Sequence, residues 1–173
     1  MTHFFPMFVD LQAQPVLVIG GGRIAARRIH SLLLFGAAVE VVAETITEEL
    51  CQLPIDIRQQ TLRPDKIGDL RIKQYRLVLA ATDQRELNHA VYQHCRNQGV
   101  TVNVCDCPAE CDFYFPAVAV TENIVAGIST SGQNHRLAAK AARTVRAALQ
   151  EEMPLKKKGT HQNGSEQDGG RNG

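Results

Sequence analysis

The stretch PVLVIGGGRIAARRIHSLLLFG, residues 15–36, determines the fold class. It opens with an apolar run rich in β-branched residues, which is typical of a strand buried on both faces of a sheet. After a glycine turn the apolar residues recur at helical spacing, on a face predicted to hold Ala25, Ile29, Leu32 and Leu33. The opposite, polar face is predicted to hold Arg27, Arg28, His30 and Ser31. Gly36 is predicted to close the helix in the left-handed conformation.

The glycine turn has the spacing of a dinucleotide-binding loop. Gly20 allows a tight turn, Gly22 lets a pyrophosphate approach the backbone, and the small Ala25 lets helix and strand pack closely. The helix amino terminus then offers free N–H groups to phosphate. Glu44 follows at the end of the next predicted strand, where it can bond a ribose 2′-hydroxyl and would repel a 2′-phosphate. The turn therefore predicts NAD rather than NADP, and the alternative is a βα turn without a ligand.

The same alternation continues along the chain. Further strands are predicted at Val39–Ala43, Asp56–Gln60, Leu77–Ala81 and Thr101–Val104. Capping boxes at Thr45 with Glu48 and at Asp83 with Glu86 predict two more helices, the second ending at Gln98 before Gly99. Residues 63–70 are predicted to form a loop or a helical turn. Strands alternating with helices indicate a Rossmann-like, doubly wound parallel sheet over residues 1–112.

The pattern changes after residue 112. Two strands around a Thr-Glu-Asn turn and a helix at Leu137–Gln150 are predicted in residues 113–153. This appendage is too small to fold alone, so it is expected to pack on the sheet domain or on a second subunit. Residues 154–173 are polar and glycine-rich, and a disordered tail is expected there.

Composition excludes several classes of protein. The 173 residues include 44% apolar residues and carry a formal net charge of +1, which is ordinary for a globular protein and shows no global bias towards nucleic acid. The amino terminus lacks the basic region of a signal peptide, and no apolar run is long enough for a membrane helix. Five cysteines, an odd number, fit a reducing cytoplasm better than a disulfide framework.

The stretch TVNVCDCPAECDFYFP, residues 101–116, concentrates three cysteines around Asp106. Their C-x-C-x₃-C spacing is not that of a structural zinc site, so no metal is predicted there. If the strand continues through this stretch, Cys105 and Cys107 project to one face and Asp106 to the other. Asp106 then lies at the carboxyl edge of the sheet, as a proton acceptor or an electrostatic stabiliser. The alternative is a loop aspartate that caps local N–H groups.

Four segments together resemble the precorrin-2 dehydrogenase family, which includes the amino-terminal module of siroheme synthase. They are FFPMFVDLQAQPVLVIGGGRIAARRI, AATDQRELN, NVCDCPAECDFYFPAV and GISTSG, and the resemblance extends from residue 4 to about residue 150. It implies NAD-dependent oxidation of precorrin-2 to sirohydrochlorin, with insertion of ferrous iron in some members. It also implies a homodimer in which residues 113–153 form the dimer contact and the tetrapyrrole cleft.

The resemblance also implies roles for individual residues. Asp106 matches the family's catalytic aspartate, and Thr130 matches a serine of a serine- and glycine-rich turn. Thr130, Ser131 and Gly132 of this turn are expected to bind the substrate. Positions that touch the dinucleotide are matched by Arg23, Ile24, Glu44, Thr45 and Thr82. Two departures affect the substrate side: Asn134-His135 replaces the Ser-Pro usual in relatives, and the carboxy-terminal helical region is short.

A basic cluster follows that turn. Residues 131–158 contain seven Lys or Arg and two Glu, a net charge of +5, because 7 − 2 = 5. The helical cations among them are Arg136, Lys140, Arg143 and Arg146, the first three at i, i+4 and i+7. The implied substrate carries eight carboxylates, which guanidinium groups suit. The alternatives are a solvated helix face, or binding to RNA or an anionic membrane, for which no aromatic platform is present.

The histidines add little to the prediction. His89 and His94 are five residues apart on a predicted helix, which does not align two metal ligands, so surface or helix-side roles are favoured. His135 begins the cleft helix, where a solvated role is favoured over a functional one. Two other functions stay open: an NAD-binding module that has lost the chemistry, and a chelatase only. Cysteine, histidine and aspartate near the cleft permit metal insertion without requiring it.

Overall fold

The computed structural model describes residues 5–152. Its main sheet has five parallel strands in the order β3-β2-β1-β4-β5, which confirms the predicted doubly wound, Rossmann-like architecture. The strands are β1 Pro15–Ile19, β2 Ala38–Ala43, β3 Asp56–Gln59, β4 Leu77–Ala80 and β5 Val102–Val104. The helices between them are α1 Arg23–Leu34, α2 Glu48–Cys51 and α3 Arg85–Gln98. Residues 63–70 contain the 3₁₀ helix Pro64–Asp69, and a second 3₁₀ helix spans Ile72–Gln74.

Helices cover both faces of this sheet. On one face, Ile29 and Leu32 of α1 pack with Val16 and Val18 of β1 in a buried cluster. On the other, α3 and the two 3₁₀ helices pack against Leu17, Ile19 and the alternate residues of β4 and β5. The inner strands are apolar on both faces for this reason. Gly36 and Gly99 end α1 and α3 with φ of +73° and +67°, as predicted.

The strand register gathers three turns at one edge. Ile19 pairs with Ala80, and Ala80 pairs with Val104, so β1, β4 and β5 end side by side. Because the three strands are parallel, the residues that follow each of them lie together. The glycine turn, the turn at Thr82 and the turn at Asp106 therefore share the carboxyl edge of the sheet.

Residues 113–152 form the predicted appendage. Strands β6 Ala117–Val120 and β7 Val125–Ile128 pair antiparallel, and helix α4, His135–Glu152, packs against both. Thr121 closes the hairpin, since its N–H donates to the Ile124 carbonyl at 2.9 Å and its hydroxyl accepts from the Ile124 N–H at 3.2 Å. The amide of Asn103 in β5 donates to the Phe113 carbonyl at 2.8 Å, which ties the appendage to the sheet.

Both predicted capping boxes are wrong. Helix α2 begins after Thr47 and α3 begins after Gln84, and neither N-cap residue makes a side-chain capping bond. The carbonyl of Thr45 lies close to Gly21, and Thr47 is the residue before the helix, with an extended backbone. At α3, the Thr82 hydroxyl accepts from the Gln84 N–H at 3.2 Å, so Thr82 rather than Asp83 organises the helix start.

Between residues 5 and 152, no helix combines the length and the apolar character needed to span a bilayer. The tail predicted at residues 154–173 lies outside the described residues, as do Lys156, Lys157 and Lys158 of the basic cluster.

Candidate active site

Steric contacts explain two of the three consecutive glycines. Gly20 has φ of +120°, and a Cβ there would lie 2.4 Å from the Ala81 carbonyl oxygen. A Cβ on Gly21 would lie 2.2 Å from the Thr45 carbonyl oxygen. Gly22 is different, because a Cβ there would meet no atom within 4 Å. The fold thus requires the first two glycines, whereas the third leaves open space above the turn.

The start of α1 faces this open space. Gly22 is the N-cap and makes no side-chain capping bond, so the first N–H groups of the helix have neither an intrahelical partner nor a capping side chain. Ala25 is fully buried against the sheet, while Arg23 and Ile24 are exposed, Ile24 to 49%. An open backbone surface at a helix amino terminus fits the pyrophosphate of a dinucleotide.

The loop after β2 is attached to the glycine turn. The Thr47 N–H donates to the Gly21 carbonyl at 3.1 Å, and the Gln59 side chain holds the Glu44 carbonyl at 3.0 Å. The side chains of Glu44 and Thr45 are exposed. The structure therefore brings these two predicted residues beside the turn, with the Glu44 carboxylate accessible to a ligand.

Thr82 is held by a buried residue that the sequence prediction missed. The Asn88 side chain accepts from the Thr82 hydroxyl at 2.7 Å and from its N–H at 3.2 Å, and it donates to the Thr82 carbonyl at 3.0 Å. Asn88 is 0% exposed. An asparagine beside Leu87, on the apolar face of a predicted helix, was the available signal. Asn88 shapes the turn that contacts Gly20, and Thr82 lies at the centre of it.

Asp106 lies in a turn and not in a strand, so the predicted continuation of β5 is wrong. The Cys111 thiol is 3.2 Å from both the N–H and the carbonyl of Val104, and the Cys107 N–H donates to that carbonyl at 3.3 Å. These bonds end the strand and turn the chain. Cys105 and Cys107 consequently pack on opposite faces of the sheet, contrary to the prediction.

The thiols near Asp106 are used in packing. Burial raises the pKa of Cys105 and of Cys111, and it raises the pKa of Cys95 to about 12. Burial therefore favours the neutral thiol at all three positions. Within residues 5–152, no three His, Cys, Asp or Glu side chains are grouped to hold a metal ion.

Asp106 contacts Arg85, and Arg85 links it to Glu110 and His89, a network that the sequence did not reveal. Arg85 lies 3.4 Å from the Asp106 carboxylate and also binds the Glu110 carboxylate, which His89 contacts at 2.7 Å. Asp106 keeps 35% of its side chain exposed, and Glu110 keeps 13%. The hydrogen bond from Arg85 is the main reason why the pKa of Glu110 is lowered. His89 thus has a partner on the sheet edge, while His94 bonds the Leu70 carbonyl at 3.0 Å.

The helical pattern predicted that Arg28 lies on the solvent-facing side of α1, and this prediction is wrong. Its guanidinium lies 4.5 Å from the centre of the Phe115 ring, next to Cys105. Phe115 from the appendage covers this face of the helix, and burial lowers the pKa of Arg28. The contact is a cation–π pair between the sheet domain and the appendage.

The turn GISTSG leads directly into α4. The Thr130 hydroxyl accepts from the Asn134 N–H at 3.0 Å, and the Ser129 hydroxyl accepts from the Ser131 N–H at 3.1 Å. Ser131 and Gly132 both adopt positive φ, +53° and +76°. The turn is held by its own hydroxyls, which defines the position where α4 begins.

The cations of α4 differ in their surroundings. Arg136, Lys140 and Arg143 are exposed, as is His135 at the first helical position. Arg146 donates to the Val118 carbonyl of β6 at 2.7 Å, so part of its guanidinium holds the hairpin.

Comparisons with known proteins show the family to which the chain is related. Residues 7–117 match a family described as putative NAD(P)-binding. The chain is 41% identical over 143 residues to a probable multifunctional siroheme biosynthesis protein, HemA, of Ruminiclostridium josui, covering 82% of this chain and 28% of that protein. It is 40% identical over 150 residues to the siroheme synthase of Psychrobacter sp. (strain PRwf-1), covering 87% and 30%. This chain spans less than a third of the length of both relatives.

A solved structure gives a similar result. The fold matches SirC, a precorrin-2 dehydrogenase, with a TM-score of 0.69 and 27% identity, over 84% of this chain and 70% of that one. The resemblance to the precorrin-2 dehydrogenase and siroheme synthase family, predicted from four sequence segments, is confirmed. The chain therefore belongs to the putative NAD(P)-binding family and is homologous to a segment of the siroheme synthases.

Proposed function

We propose that this chain oxidises precorrin-2 to sirohydrochlorin with NAD as the acceptor. The observation that carries the proposal is the placement of the glycine turn and Asp106 at one edge, after the neighbouring strands β1, β4 and β5. Ligands of open α/β sheets bind at this edge. The identity to siroheme synthases and the structural match to a precorrin-2 dehydrogenase support the same substrate.

The sheet domain, residues 1–112, would hold the dinucleotide. Gly20, Gly22 and the N–H groups of Arg23 and Ile24 would bind its pyrophosphate, with Ala25 keeping the helix close to the strand. Glu44 and Thr45 would bind the adenosine ribose, and Thr82 would shape the middle of the site. When bound, NAD supplies the hydride acceptor.

Residues 113–153 would bind the tetrapyrrole. Its eight carboxylates need a basic surface, and α4 offers an exposed row of three cations: Arg136, Lys140 and Arg143. Arg146 adds a fourth charge while it holds the hairpin. Thr130, Ser131 and Gly132 form the turn that would lie between this basic row and the reacting carbons.

Asp106 would handle the proton. Oxidation of a carbon–carbon bond removes a hydride and a proton, so a base is needed for the second. The Asp106 carboxylate is 35% exposed, so it would be accessible to a substrate at this edge, as a proton acceptor or to stabilise a developing cation.

The working form would be a cytoplasmic homodimer. Hairpin β6–β7 is a separate two-stranded sheet in the described structure, and sheets of two strands are marginally stable alone. Val125 and Leu137 of the appendage are 39% and 54% exposed, which supports burial against a second copy. All five cysteines are free thiols, which suits a reducing compartment.

The direct test is anaerobic incubation of the purified protein with precorrin-2 and NAD. Sirohydrochlorin and NADH should appear together in equal amounts, and their absorbance spectra measure both. Binding of NAD without turnover would contradict the proposal and indicate a binding module. Iron insertion into supplied sirohydrochlorin, with no oxidation of precorrin-2, would contradict it in favour of a chelatase.

A further inference from the structure

Asp106 takes part in an ion network that joins α3 to the turn after β5. Arg85 points Nη1 at Asp106 Oδ1, 3.4 Å away, and Nη2 at Glu110 Oε1. His89 Nδ1 is 2.7 Å from the same Glu110 oxygen. The two carboxylates thus share one guanidinium, and within residues 5–152 only the Glu110 end has a second contact, from His89.

The Glu110 end of this network is the rigid end. Its side chain is 13% exposed, and Glu110 Oε2 is buried without a hydrogen-bond partner in the described part of the chain. The 3₁₀ turn that carries it is fixed by the bond from the Glu110 N–H to the Cys107 carbonyl at 3.1 Å. A largely buried carboxylate is costly unless it is paired, so Arg85 and His89 are held to it.

Arg85 is the adjustable member. Its side chain is 45% exposed, and it stands at the first position of α3, where the helix dipole disfavours a cation. Local helix preferences therefore do not account for an arginine here. Its two contacts, both to carboxylates, account for its orientation.

We propose that Arg85, held by Glu110, which His89 contacts in turn, is a positioning residue that fixes the Asp106 carboxylate for proton transfer. The inference rests on the proposed function, because it assigns Arg85 to the reaction that Asp106 would assist. A carboxylate misplaced by about 1 Å can lower the rate of such a step by roughly 100-fold. Glu110 acts only through Arg85.

The competing explanation is a purely structural ion pair that joins α3 to the following turn. The chain contains a matched control for this role. Arg96, also on α3, lies 3.3 Å from Asp112 in the same segment, and its side chain is 59% exposed. Removing that charge breaks a comparable link between helix and segment without touching Asp106.

The experiment compares kcat and KM for precorrin-2 in the wild type, Arg85→Gln, Arg85→Lys, Glu110→Gln and Arg96→Gln, together with thermal unfolding. Arg85→Gln should lower kcat roughly 10- to 100-fold with KM for both substrates little changed. Arg85→Lys, which keeps the charge, should recover part of the loss. Arg96→Gln should keep the wild-type kcat, even if its unfolding temperature falls as much as that of Arg85→Gln.

A double variant tests the order of action. Because Glu110 acts through Arg85, the single variant Glu110→Gln should lower kcat. In the Arg85→Gln background the same change should cause no further loss of kcat. Additive losses, an unchanged kcat in Arg85→Gln, or an equal kcat loss in Arg96→Gln would each overturn the inference. A raised KM for precorrin-2 at unchanged kcat would overturn it too, and would make Arg85 a substrate ligand. A wild type without turnover would instead refute the proposed function, and the inference with it.

Discussion

The Asn134 side chain accepts a hydrogen bond from the Leu137 N–H at 2.9 Å and so caps helix α4. The family resemblance implies the serine of a Ser-Pro pair at this position, and serine is an equally good N-cap residue. The departure seen in the sequence therefore preserves the chemistry of the helix start. His135, which replaces the proline, is exposed at the first helical position, where proline is favoured but not required.

Removing this cap should destabilise α4. Asn134→Ala is expected to lower the unfolding free energy by about 1 kcal/mol. Asn134→Ser should retain most of the stabilisation that the cap provides. Urea denaturation of the three proteins measures the difference. Gln133→Ala is the control, because Gln133 is exposed and its side chain makes no capping bond among the described residues; a similar loss in that variant would argue against the cap.

Two adjacent glycines should respond differently to alanine. Gly21→Ala places a methyl group 2.2 Å from the Thr45 carbonyl oxygen, and overpacking of this kind costs about 1–3 kcal/mol. The methyl group of Gly22→Ala meets no atom within 4 Å, so the unfolding free energy should fall only by up to about 1 kcal/mol, because alanine is a poorer N-cap residue. NAD affinity of the folded Gly22→Ala protein should nevertheless fall about tenfold or more, a loss of 1.4 kcal/mol per tenfold.

Calorimetric titration with NAD and thermal unfolding separate these two effects. If Gly22→Ala bound NAD as tightly as the wild type, the pyrophosphate would not approach the turn at this residue.

Glu44 should make the site prefer NAD. Its exposed carboxylate lies beside the glycine turn, where it can accept ribose hydroxyls and repel a 2′-phosphate. Glu44→Gln should bring the dissociation constants for NAD and NADP closer together. Glu48→Gln, which changes an exposed acid in the next helix, should leave the ratio of these two constants unchanged. Equal or tighter binding of NADP by the wild type would exclude this role for Glu44.

Asp106→Asn should lower dehydrogenase turnover by roughly 10²–10⁴-fold, the range typical of a lost acid–base group. The amide has nearly the same shape, so NAD affinity and folding should change little. Cys105→Ser and Cys107→Ser flank the same position and should each keep most of the activity. Steady-state rates under anaerobic conditions measure this, and a full-rate Asp106→Asn enzyme would refute the assignment.

Charge reversal on α4 should affect the tetrapyrrole and not the dinucleotide. Arg143→Glu should raise KM for precorrin-2 and leave the NAD dissociation constant unchanged, because α4 packs on the hairpin. Arg146→Glu should do the same and also lower the unfolding temperature, since it loses the bond to the Val118 carbonyl. Lys73→Glu, at an exposed residue of the second 3₁₀ helix, controls for net charge. A loss of NAD affinity alone in either α4 variant would contradict the division of the site.

Tertiary contacts decided where β5 ends and which side chains surround Asp106. The alternating pattern of Thr101–Val104 continues into Cys105 and Cys107. The chain turns there because Val104 is bonded by the Cys107 N–H and by the Cys111 thiol, seven residues away. Arg28 has the spacing of a solvent-facing residue, yet Phe115 covers it. Each of these partners comes from a different element, and helical or strand periodicity does not reveal which elements will meet.

The amino-acid sequence alone specified the parallel sheet and the glycine turn, and it predicted the carboxyl edge as the location of the site. These follow from local causes: strands such as β1 are apolar on both faces, Gly20 is needed for a positive φ, and Gly36 and Gly99 end helices. The Arg85, His89 and Glu110 network was decided only by the tertiary structure. Glu110 is 25 residues from Arg85 and 21 residues from His89 along the chain. Electrostatic pairing over such separations depends on how α3 packs beside β5.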